Sequence, residues 1–379
     1  MKNLINYEKA LVNAGDDSRI VNVMQRALNG EKLTLAFLGG SITQGCLAST
    51  PQGCYAALTY KWWQEAFPEA EFTYINAGIG GTTSHLGTGR VEEEVLSYKP
   101  DFVIVEFSVN DDDNSEHFKE TYEGLLRRIL KAEWAPALLL VHNVRYDDGG
   151  NAEAIHLAVG KHYNLPSVSM KSTIYEQVAA GKIANRDITP DDLHPNDAGH
   201  ELVAEVITYY LKQVKKKAEE IKKTSPDAIV KRLTVTKLPA PITANGYENA
   251  HRYRNDELEV VSCNGFVKDE TPQSGVADCF KKGFTASRLG DKIVFMVEGE
   301  SIGVQFKRTL KGPVPVAKIT VDGEHSMILD GNFDEDWDCL ALATVVDHGK
   351  SGRHLVEVEI TEAHENDREG FYLVSLVTA

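Results

Sequence analysis

Cysteine is scarce in this chain of 379 residues, which has only five. Their number is odd and no Cys-x-x-Cys pair occurs, which argues against a disulfide framework. The pattern instead favours reduced thiols in a cytosol. The five are Cys46, Cys54, Cys263, Cys279 and Cys339.

Long apolar runs are also missing. No stretch approaches the ~20 apolar residues that a membrane-spanning helix needs. The segment from Met1 to Glu8 lacks the apolar core of a signal peptide. We therefore expect a cytoplasmic protein that does not enter a membrane.

An excess of basic residues is absent too. The chain has 40 Lys and Arg against 56 Asp and Glu, which gives a formal net charge of −16. This balance argues against nucleic acid as the main partner, because phosphate binding needs clustered Lys and Arg. It argues equally against an anionic membrane surface. A neutral substrate such as a sugar is compatible with the charge.

Residues 1–225 alternate between short apolar runs and helical patterns, with turn residues between them. This alternation is typical of βα units, and we predict an α/β domain with an open, doubly wound, five-stranded parallel sheet. Such sheets place their sites at the carboxyl ends of the strands. The predicted strands are 33–38, 72–75, 102–107, 137–141 and 167–168. The predicted helices are 19–28, 55–67, 90–97, 117–131, 153–162, 172–180 and 197–222.

The rest of the chain has a different character. Residues 226–240 are predicted to be a linker. Residues 241–379 contain short, often alternating apolar runs, separated by turns such as Asp322-Gly323. We predict an all-β sandwich or jelly roll there. Its predicted strands include 293–297, 302–306, 316–321, 355–360 and 371–377.

Two glycine turns follow predicted strands of the first domain. Ser41 ends a Gly-Gly-Ser turn, and a turn at a strand end can expose a serine hydroxyl as a nucleophile. Gly81 ends a second glycine turn, which could aim a backbone N–H at an oxyanion. Plainer interpretations exist, because Gly-Gly-Ser is a common turn. A glycine loop can also hold phosphate, although the full Gly-x-Gly-x-x-Gly and a Walker lysine are missing.

Two polar segments follow later strands. Asn110 can point its amide at the same spot, or it can cap the next helix. Asp191 precedes His194 by three residues, so its carboxylate can accept the Nδ1–H and leave Nε2 free as a base. Pro195 keeps His194 extended and outside the following helix. Taken alone, this segment also fits a surface histidine beside a helix-capping Asp.

The order of the four segments is more informative than any one of them. Gly-Gly-Ser41, the segment 76–81, Ser108-Val109-Asn110-Asp111 and Asp191-x-x-His194 follow one another along one α/β domain. In this order the first domain resembles the SGNH (GDSL-like) hydrolase family. Gly40 stands where the commoner motif has Asp, and Ser108 stands where it has Gly. The Asp is not a triad member, so the resemblance implies the same chemistry on a different local scaffold.

The resemblance implies a serine esterase. Ser41 is then the nucleophile, His194 the general base and Asp191 its partner. The N–H groups of Ser41 and Gly81 and the Asn110 side chain form the oxyanion hole. The reaction proceeds through an acyl-enzyme and needs no metal or cofactor.

Sugar acetyl esters are the favoured substrates. No lid or strongly apolar segment, as a long acyl chain would require, lies near the motifs, and the β domain resembles a carbohydrate-binding module. The whole chain resembles bacterial two-domain carbohydrate esterases, so we predict deacetylation of acetylated manno-oligosaccharides. Polar residues near the motifs are Gln44, His85, Arg90, Asn143 and Arg145. Of these, Gln44, His85 and Asn143 are predicted substrate contacts.

In the β domain, Trp337 stands among carboxylates in the segment 331–338. An aromatic ring can cover a pyranose face, so Trp337 is a further predicted substrate contact that reaches the Ser41 site. The alternative is a ring packed into the sandwich. The Asp-x-Asp-x-Asp run at 334–338 lacks the glycine and distal Glu of a calcium loop, and we predict no metal.

Other functions fit parts of the pattern. An acetylxylan esterase, or a thioesterase or lysophospholipase of the same fold, would use the same catalytic residues. A non-catalytic carbohydrate-binding protein would not need the four segments together. The sequence specifies no oligomeric state.

Overall fold

The computed structural model describes residues 1–225, 230–235, 237–334 and 337–379. The chain forms two compact units. The first unit comprises Met1–Gly87 and Val91–Asn245. The second comprises Thr88–Arg90 and Gly246–Ala379.

A six-stranded sheet forms the centre of the first unit, in the order β1-β6-β5-β4-β2-β3. Strands β2 to β6 are parallel, and β1 pairs antiparallel with β6 at the edge. All five predicted strands are present, and their order is that of a doubly wound, flavodoxin-like sheet. The edge strand β1 was not predicted. The strands are β1 Leu11–Asn13, β2 Lys32–Gly39, β3 Glu71–Gly78, β4 Phe102–Glu106, β5 Ala137–His142 and β6 Ser167–Ser169.

The seven predicted helices have counterparts in the first unit, although the one predicted at 172–180 is a π-helix over Lys171–Tyr175 that becomes α-helical only at Glu176. Two four-residue helices, Ser41–Gln44 and Asn185–Ile188, were not predicted. The fourth helix begins at Ser84, six residues before the predicted start, because its glycines hide the helical pattern. Gly87 packs closely on Phe107, since a Cβ there would lie 3.0 Å from the ring and would require it to shift. The helices are α1 Ser18–Leu28, α2 Ser41–Gln44, α3 Tyr55–Ala66, α4 Ser84–Glu94, α5 Glu116–Leu130, α6 Glu153–His162, α7 Glu176–Ala179, α8 Asn185–Ile188 and α9 Asp197–Thr224.

The core of the first unit surrounds the two central strands. Every residue of β4 and β5 is buried, which suits the continuous apolar runs of parallel strands covered on both faces. Trp63 on α3 is completely buried; its ring lies 5.3 Å from that of Phe67 and 5.4 Å from that of Phe102. Helices and sheet therefore share one apolar interior.

The strand register brings three strand ends to one level. Gly39 at the end of β2 pairs with Gly78 at the end of β3 and with Glu106 at the end of β4. The strand order reverses at β2, because β3 lies on one side of it and β4 on the other. In open α/β sheets, such a reversal leaves a crevice outside the carboxyl ends, where sites form.

The second unit contains two antiparallel sheets, in the orders β15-β12-β17-β10-β9 and β14-β13-β16-β11-β8, with β7 paired to β17. Inward side chains from both sheets, such as Val304 and Ile319, form a single core. The predicted all-β domain is confirmed. The strands are β7 His251–Tyr253, β8 Glu259–Asn264, β9 Val267–Lys268, β10 Phe284–Ala286, β11 Lys292–Gly299, β12 Ile302–Arg308, β13 Val316–Val321, β14 His325–Asp330, β15 Cys339–Val346, β16 Gly352–Glu362 and β17 Phe371–Thr378.

The predicted linker 226–240 lies partly outside the described residues, which omit 226–229 and 236. Its described part has no regular secondary structure and contacts the α/β unit. Arg232 forms an ion pair with Asp101, and the Pro239 carbonyl accepts a hydrogen bond from Arg127.

The structure also bears on the expected absence of membrane-spanning helices and of a disulfide framework. Within the described ranges, no helix is long and apolar enough to cross a membrane. Cys46, Cys54, Cys263 and Cys339 are free thiols.

A buried ion pair stabilises the end of the sheet opposite the three aligned strand ends. Asp101, just before β4, lies 2.7 Å from Arg26 Nη1, and both side chains are almost completely buried. Removing one partner of a buried pair typically costs about 3 kcal/mol or more, because the other charge stays desolvated. We expect Asp101→Asn to lower the free energy of unfolding by about 3 kcal/mol, measured by urea denaturation at neutral pH.

The exposed pair between Lys32 and Glu71 is the control, since its atoms are 2.7 Å apart but both side chains are mostly in solvent. Exposed pairs contribute little, so Glu71→Gln should leave the urea midpoint unchanged. Equal effects of the two substitutions would contradict the role given to burial.

Candidate active site

Ser41 lies where β2 gives way to the short helix α2, with only Gly40 between them. It is the first residue of α2 and is 5% exposed. The first N–H groups of a helix have no acceptor within the helix. The backbone of Ser41 therefore offers a donor at the same place as its hydroxyl.

The glycines before Ser41 are needed for space. Neither Gly39 nor Gly40 adopts a positive φ angle. A Cβ on Gly39 would lie 2.2 Å from Thr43 Oγ1, and one on Gly40 would lie 2.4 Å from Asn110 Oδ1. The sharp turn expected from the sequence thus requires glycine because neighbouring groups approach the backbone closely.

His194 joins Ser41 to Asp191. Its Nε2 lies 2.8 Å from Ser41 Oγ, and its Nδ1 lies 2.6 Å from Asp191 Oδ2. The second carboxylate oxygen, Oδ1, accepts the backbone N–H of His194 at 2.7 Å. The three residues thus have the geometry of a nucleophile, a base and an orienting carboxylate.

Burial disfavours ionisation of Asp191, but hydrogen bonds from the His194 ring and from the backbone N–H groups of His194 and Leu193 outweigh it. The pKa of Asp191 is therefore held below its ordinary value of 3.8. The carboxylate stays charged at neutral pH, where it can stabilise a protonated imidazole.

The turn that carries Asp191 and His194 is anchored by a residue that the sequence analysis did not single out. Asp192 has a φ of 66°, and its carboxylate makes a two-point contact with the Arg186 guanidinium, at 2.9 and 2.7 Å. Its Oδ1 also accepts from Asn185 at 2.7 Å. No motif signals this role, because Asp is a common residue in turns.

The three predicted oxyanion donors come from the three aligned strand ends. Gly81 follows β3 and has a φ of 68°, a conformation that favours glycine. A Cβ on its neighbour Gly80 would lie 3.8 Å from Ser41 Cβ, so this turn borders the nucleophile. Asn110 follows β4, which flanks β2 on the side opposite β3, and its side chain contacts Gly40.

Gln44 was predicted to bind substrate, and the structure gives its side chain a contact inside the protein. Its Oε1 accepts the backbone N–H of Gly80 at 2.6 Å. The side chain therefore connects the nucleophile helix α2 to the turn that carries Gly81. Its substrate contact remains a prediction.

The other predicted substrate contacts are placed differently. His85 is 5% exposed, and its Nδ1 lies 3.3 Å from His117 Nε2. Asn143 is 1% exposed, and its carbonyl accepts from Asn151. Trp337 belongs to the second unit and is 49% exposed, with residues 335–336 of its segment outside the described residues.

Ser108, which replaces the commoner glycine, uses its hydroxyl. Its Oγ lies 2.9 Å from Glu106 Oε1 and 3.0 Å from the Asn143 carbonyl oxygen. Its own carbonyl accepts the Ala152 N–H at 2.7 Å. Ser108 thus fixes the segment before Asn110 to the ends of β4 and β5 and to the start of α6.

Glu106 is completely buried at the end of β4. Burial raises the pKa of its carboxyl from the ordinary 4.5 to about 7, although hydrogen bonds from Ser108 lower it in part. Among the described residues, no group of three or more His, Cys, Asp and Glu side chains is arranged to hold a metal ion.

Residues 37–202 match the GDSL-like Lipase/Acylhydrolase family, and this span contains Ser41, Gly81, Asn110, Asp191 and His194. The chain belongs to this family. The predicted family, fold class and reaction class, a carboxylic ester hydrolase, are confirmed.

Among solved structures, the chain is similar to a two-domain esterase (CEX) active on acetylated mannans, which has also been co-crystallized with mannopentaose. The two are 53% identical, the match covers 99% of this chain and 98% of the other, and the TM-score is 0.92.

Two curated relatives each match less than half of the chain. An acetylxylan esterase of Geobacillus stearothermophilus is 26% identical over 204 residues, 46% of this chain and 91% of the relative. The thioesterase 1/protease 1/lysophospholipase L1 of Escherichia coli strain K12 is 24% identical over 180 residues, 45% of this chain and 80% of the relative.

The raised pKa of Glu106 predicts a pH-dependent stability. The folded state keeps the proton of this carboxyl up to a pH of about 7, whereas the unfolded chain loses it near 4.5. The group therefore contributes stability below pH 4.5 that is lost as the pH rises through 7. Relative to wild type, Glu106→Gln should gain unfolding free energy across this window, by about 3 kcal/mol at about 1.4 kcal/mol per pH unit.

Glu123 supplies a control of opposite sign. Burial disfavours its ionisation, but hydrogen bonds from Thr243, Tyr163 and Ile242 outweigh it and lower the pKa of its carboxyl. Its contribution is present above pH 4.5 and lost as the pH falls. Chemical denaturation should show a Glu123→Gln deficit that is constant from pH 5 to 8 and shrinks as the pH falls below 4.5, whereas the Glu106→Gln difference should change between pH 4.5 and 7. A Glu106→Gln difference that is constant with pH would contradict the prediction.

Proposed function

We propose that this chain is a serine esterase that removes O-acetyl groups from manno-oligosaccharides through Ser41, His194 and Asp191. The observation that carries the proposal is the continuous contact from Ser41 Oγ to His194 Nε2 at 2.8 Å and from His194 Nδ1 to Asp191 Oδ2 at 2.6 Å. It lies at the carboxyl ends of the sheet, where substrates of this fold bind.

The geometry supports an acyl-enzyme mechanism. His194 Nε2 takes the proton of Ser41 as Oγ attacks the acetyl carbonyl. Asp191, whose low pKa keeps it ionised, stabilises the imidazolium. His194 then gives the proton to the departing sugar oxygen, which leaves an acetyl group on Ser41. Water attacks this ester with His194 again as base, and acetate departs.

Negative charge on the carbonyl oxygen is stabilised by three donors in the proposal. They are the backbone N–H of Ser41, the backbone N–H of Gly81 and the side-chain amide of Asn110. Their fixed positions at three neighbouring strand ends support this role, because donors that need no reorganisation stabilise an oxyanion best. Loss of one such donor typically costs about 3 kcal/mol of barrier.

The preference for mannan rests on the extent of similarity. The mannan esterase matches both units of this chain at 53% identity, whereas the acetylxylan esterase matches 46% of the chain at 26% identity. The match to the mannan esterase includes the second unit, and this supports a carbohydrate-binding role for that unit as well. The small, odd number of cysteines supports a cytoplasmic location, where the substrates would be imported oligosaccharides.

Four side chains are proposed to contact the sugar: Gln44, His85, Asn143 and Trp337. Trp337 is the most accessible of the aromatic candidates, and its ring lies 6.3 Å from that of Phe333 in an edge-to-face arrangement. A half-exposed indole offers the flat apolar face that a pyranose ring covers.

Ser41→Ala tests the mechanism. Mass spectrometry of acetylated manno- and xylo-oligosaccharides should show deacetylation by wild type and a rate lower by on the order of 10⁴ to 10⁶ in the variant. Ser97→Ala, at an exposed serine whose hydroxyl donates to the Glu93 carbonyl, should retain full activity. Deacetylation by Ser41→Ala at the wild-type rate would remove Ser41 from the mechanism.

Trp337→Ala tests the sugar platform. We expect KM for acetylated manno-oligosaccharides to rise about tenfold, the effect of losing roughly 1.4 kcal/mol of binding. Turnover of p-nitrophenyl acetate, which has no sugar, should not change. Tyr98→Ala is the matched control, because Tyr98 is 54% exposed and lies before β4, away from the aligned strand ends. An unchanged KM in the Trp337 variant would argue against the platform.

A further inference from the structure

A buried carboxylate connects two of the loops that carry the proposed oxyanion donors. Asp111 follows Asn110 directly, and its Oδ1 accepts the backbone N–H of Ser84 at 2.9 Å. Ser84 begins α4, three residues after Gly81. One side chain therefore ties the loop of Asn110 to the loop of Gly81.

The second oxygen of the same carboxylate contacts a histidine on α6. Asp111 Oδ2 lies 2.9 Å from Nε2 of His156 on α6, and both side chains are completely buried. The imidazole is stacked on the Tyr122 ring, with centroids 3.6 Å apart and planes 7° from parallel. This packing fixes the ring plane and aims Nε2 at Asp111.

The tautomer of His156 follows from its surroundings. Its Nδ1 is buried and has no hydrogen-bond partner within the described residues. A proton on Nδ1 would be buried without an acceptor, whereas a proton on Nε2 is donated to Asp111. Both oxygens of the carboxylate thus accept hydrogen bonds, from an imidazole and from the first N–H of a helix.

The pair is too deeply buried to act on substrate. Neither side chain is exposed to solvent, and the two functional groups are directed at each other. Burying a carboxylate carries a desolvation penalty that an apolar pair of similar size would avoid. A role in fixing the position of the neighbouring loops accounts for the arrangement.

We propose that Asp111 and His156 are positioning residues that set the separation between the Gly81 N–H and the Asn110 amide. The proposal rests on the proposed function. Gln44 makes a corresponding link on the other side of the same turn, through Gly80. Hydrogen bonds from side chains thus connect all three donor loops, and the donors are fixed before substrate arrives.

Asp111→Asn tests the proposal, because it keeps the shape and an acceptor for Ser84 while removing the charge. We expect kcat for p-nitrophenyl acetate to fall about 10- to 100-fold, since small displacements of catalytic groups have effects of this size. KM should stay unchanged. Affinity for methylboronic acid, which forms a tetrahedral adduct on serine, should fall by the same factor as kcat/KM.

His156 provides a second pair of variants. His156→Gln can place a donor amide near the position of Nε2, whereas His156→Leu removes the donor. We expect His156→Gln to retain most of kcat and His156→Leu to lose it as Asp111→Asn does.

Asp101→Asn is the matched control for stability. Asp101 is equally buried and ion-paired, but it lies at the opposite end of β4 from Asp111. It should lower the urea midpoint without changing kcat.

Three kinetic or binding results would overturn the proposal. They are a wild-type kcat in Asp111→Asn, an equal loss of kcat in Asp101→Asn, or a loss of boronate affinity that does not follow kcat/KM. Unfolding of both Asp111→Asn and His156→Leu would also overturn it, because the pair would then be a requirement of the fold. Failure of the proposed mannan activity is distinguishable, since it would spare hydrolysis of p-nitrophenyl acetate.

Discussion

The alignment of three strand ends is the constraint on which the site depends. Because Gly39 is in register with both Gly78 and Glu106, the loops after β2, β3 and β4 begin at one level of the sheet. The nucleophile helix α2 can then pack directly on its two neighbours. A Cβ on Gly78 would lie 2.1 Å from the Gln44 backbone nitrogen, so this packing leaves no room for a side chain. Nucleophile and oxyanion donors are close together because the strand register places them so.

Two carboxyl groups around this point differ in pKa because they differ in burial. Asp191 receives donors from the His194 ring and two backbone N–H groups, which keep its pKa low and its charge available to the imidazole. Glu106 accepts hydrogen bonds from Ser108, but its complete burial outweighs them and raises its pKa to about 7. A neutral Glu106 below that pH removes a negative charge from the vicinity of the oxyanion site. Because both groups accept hydrogen bonds, the depth of burial decides which carboxyl stays ionised.

The sequence predicts features that have a local signal. The five parallel strands appear as apolar runs followed by turn residues, and α6 begins and ends at the predicted residues 153 and 162. The edge strand β1 has three residues, too few for a periodic pattern, and is defined by its pairing with β6. The links from Gln44 to Gly80 and from Asp111 to His156 span 36 and 45 residues, so no motif spacing reveals them. Long-range polar contacts of this kind are visible only once the chain is folded.

The two departures from the commoner family motif are coupled to these contacts. Gly40 leaves the space that Asn110 occupies, since any side chain there would meet Oδ1. Ser108, two residues before Asn110, ties the same segment to Glu106 and to the Asn143 carbonyl. Compared with the commoner motif, position 40 beside the nucleophile has a smaller residue, and position 108 before the Asn110 donor has a larger one. The segment 108–110 therefore lies close to Gly40 and is held in place by the hydrogen bonds of Ser108. Restoring Asp at position 40 alone would displace Asn110.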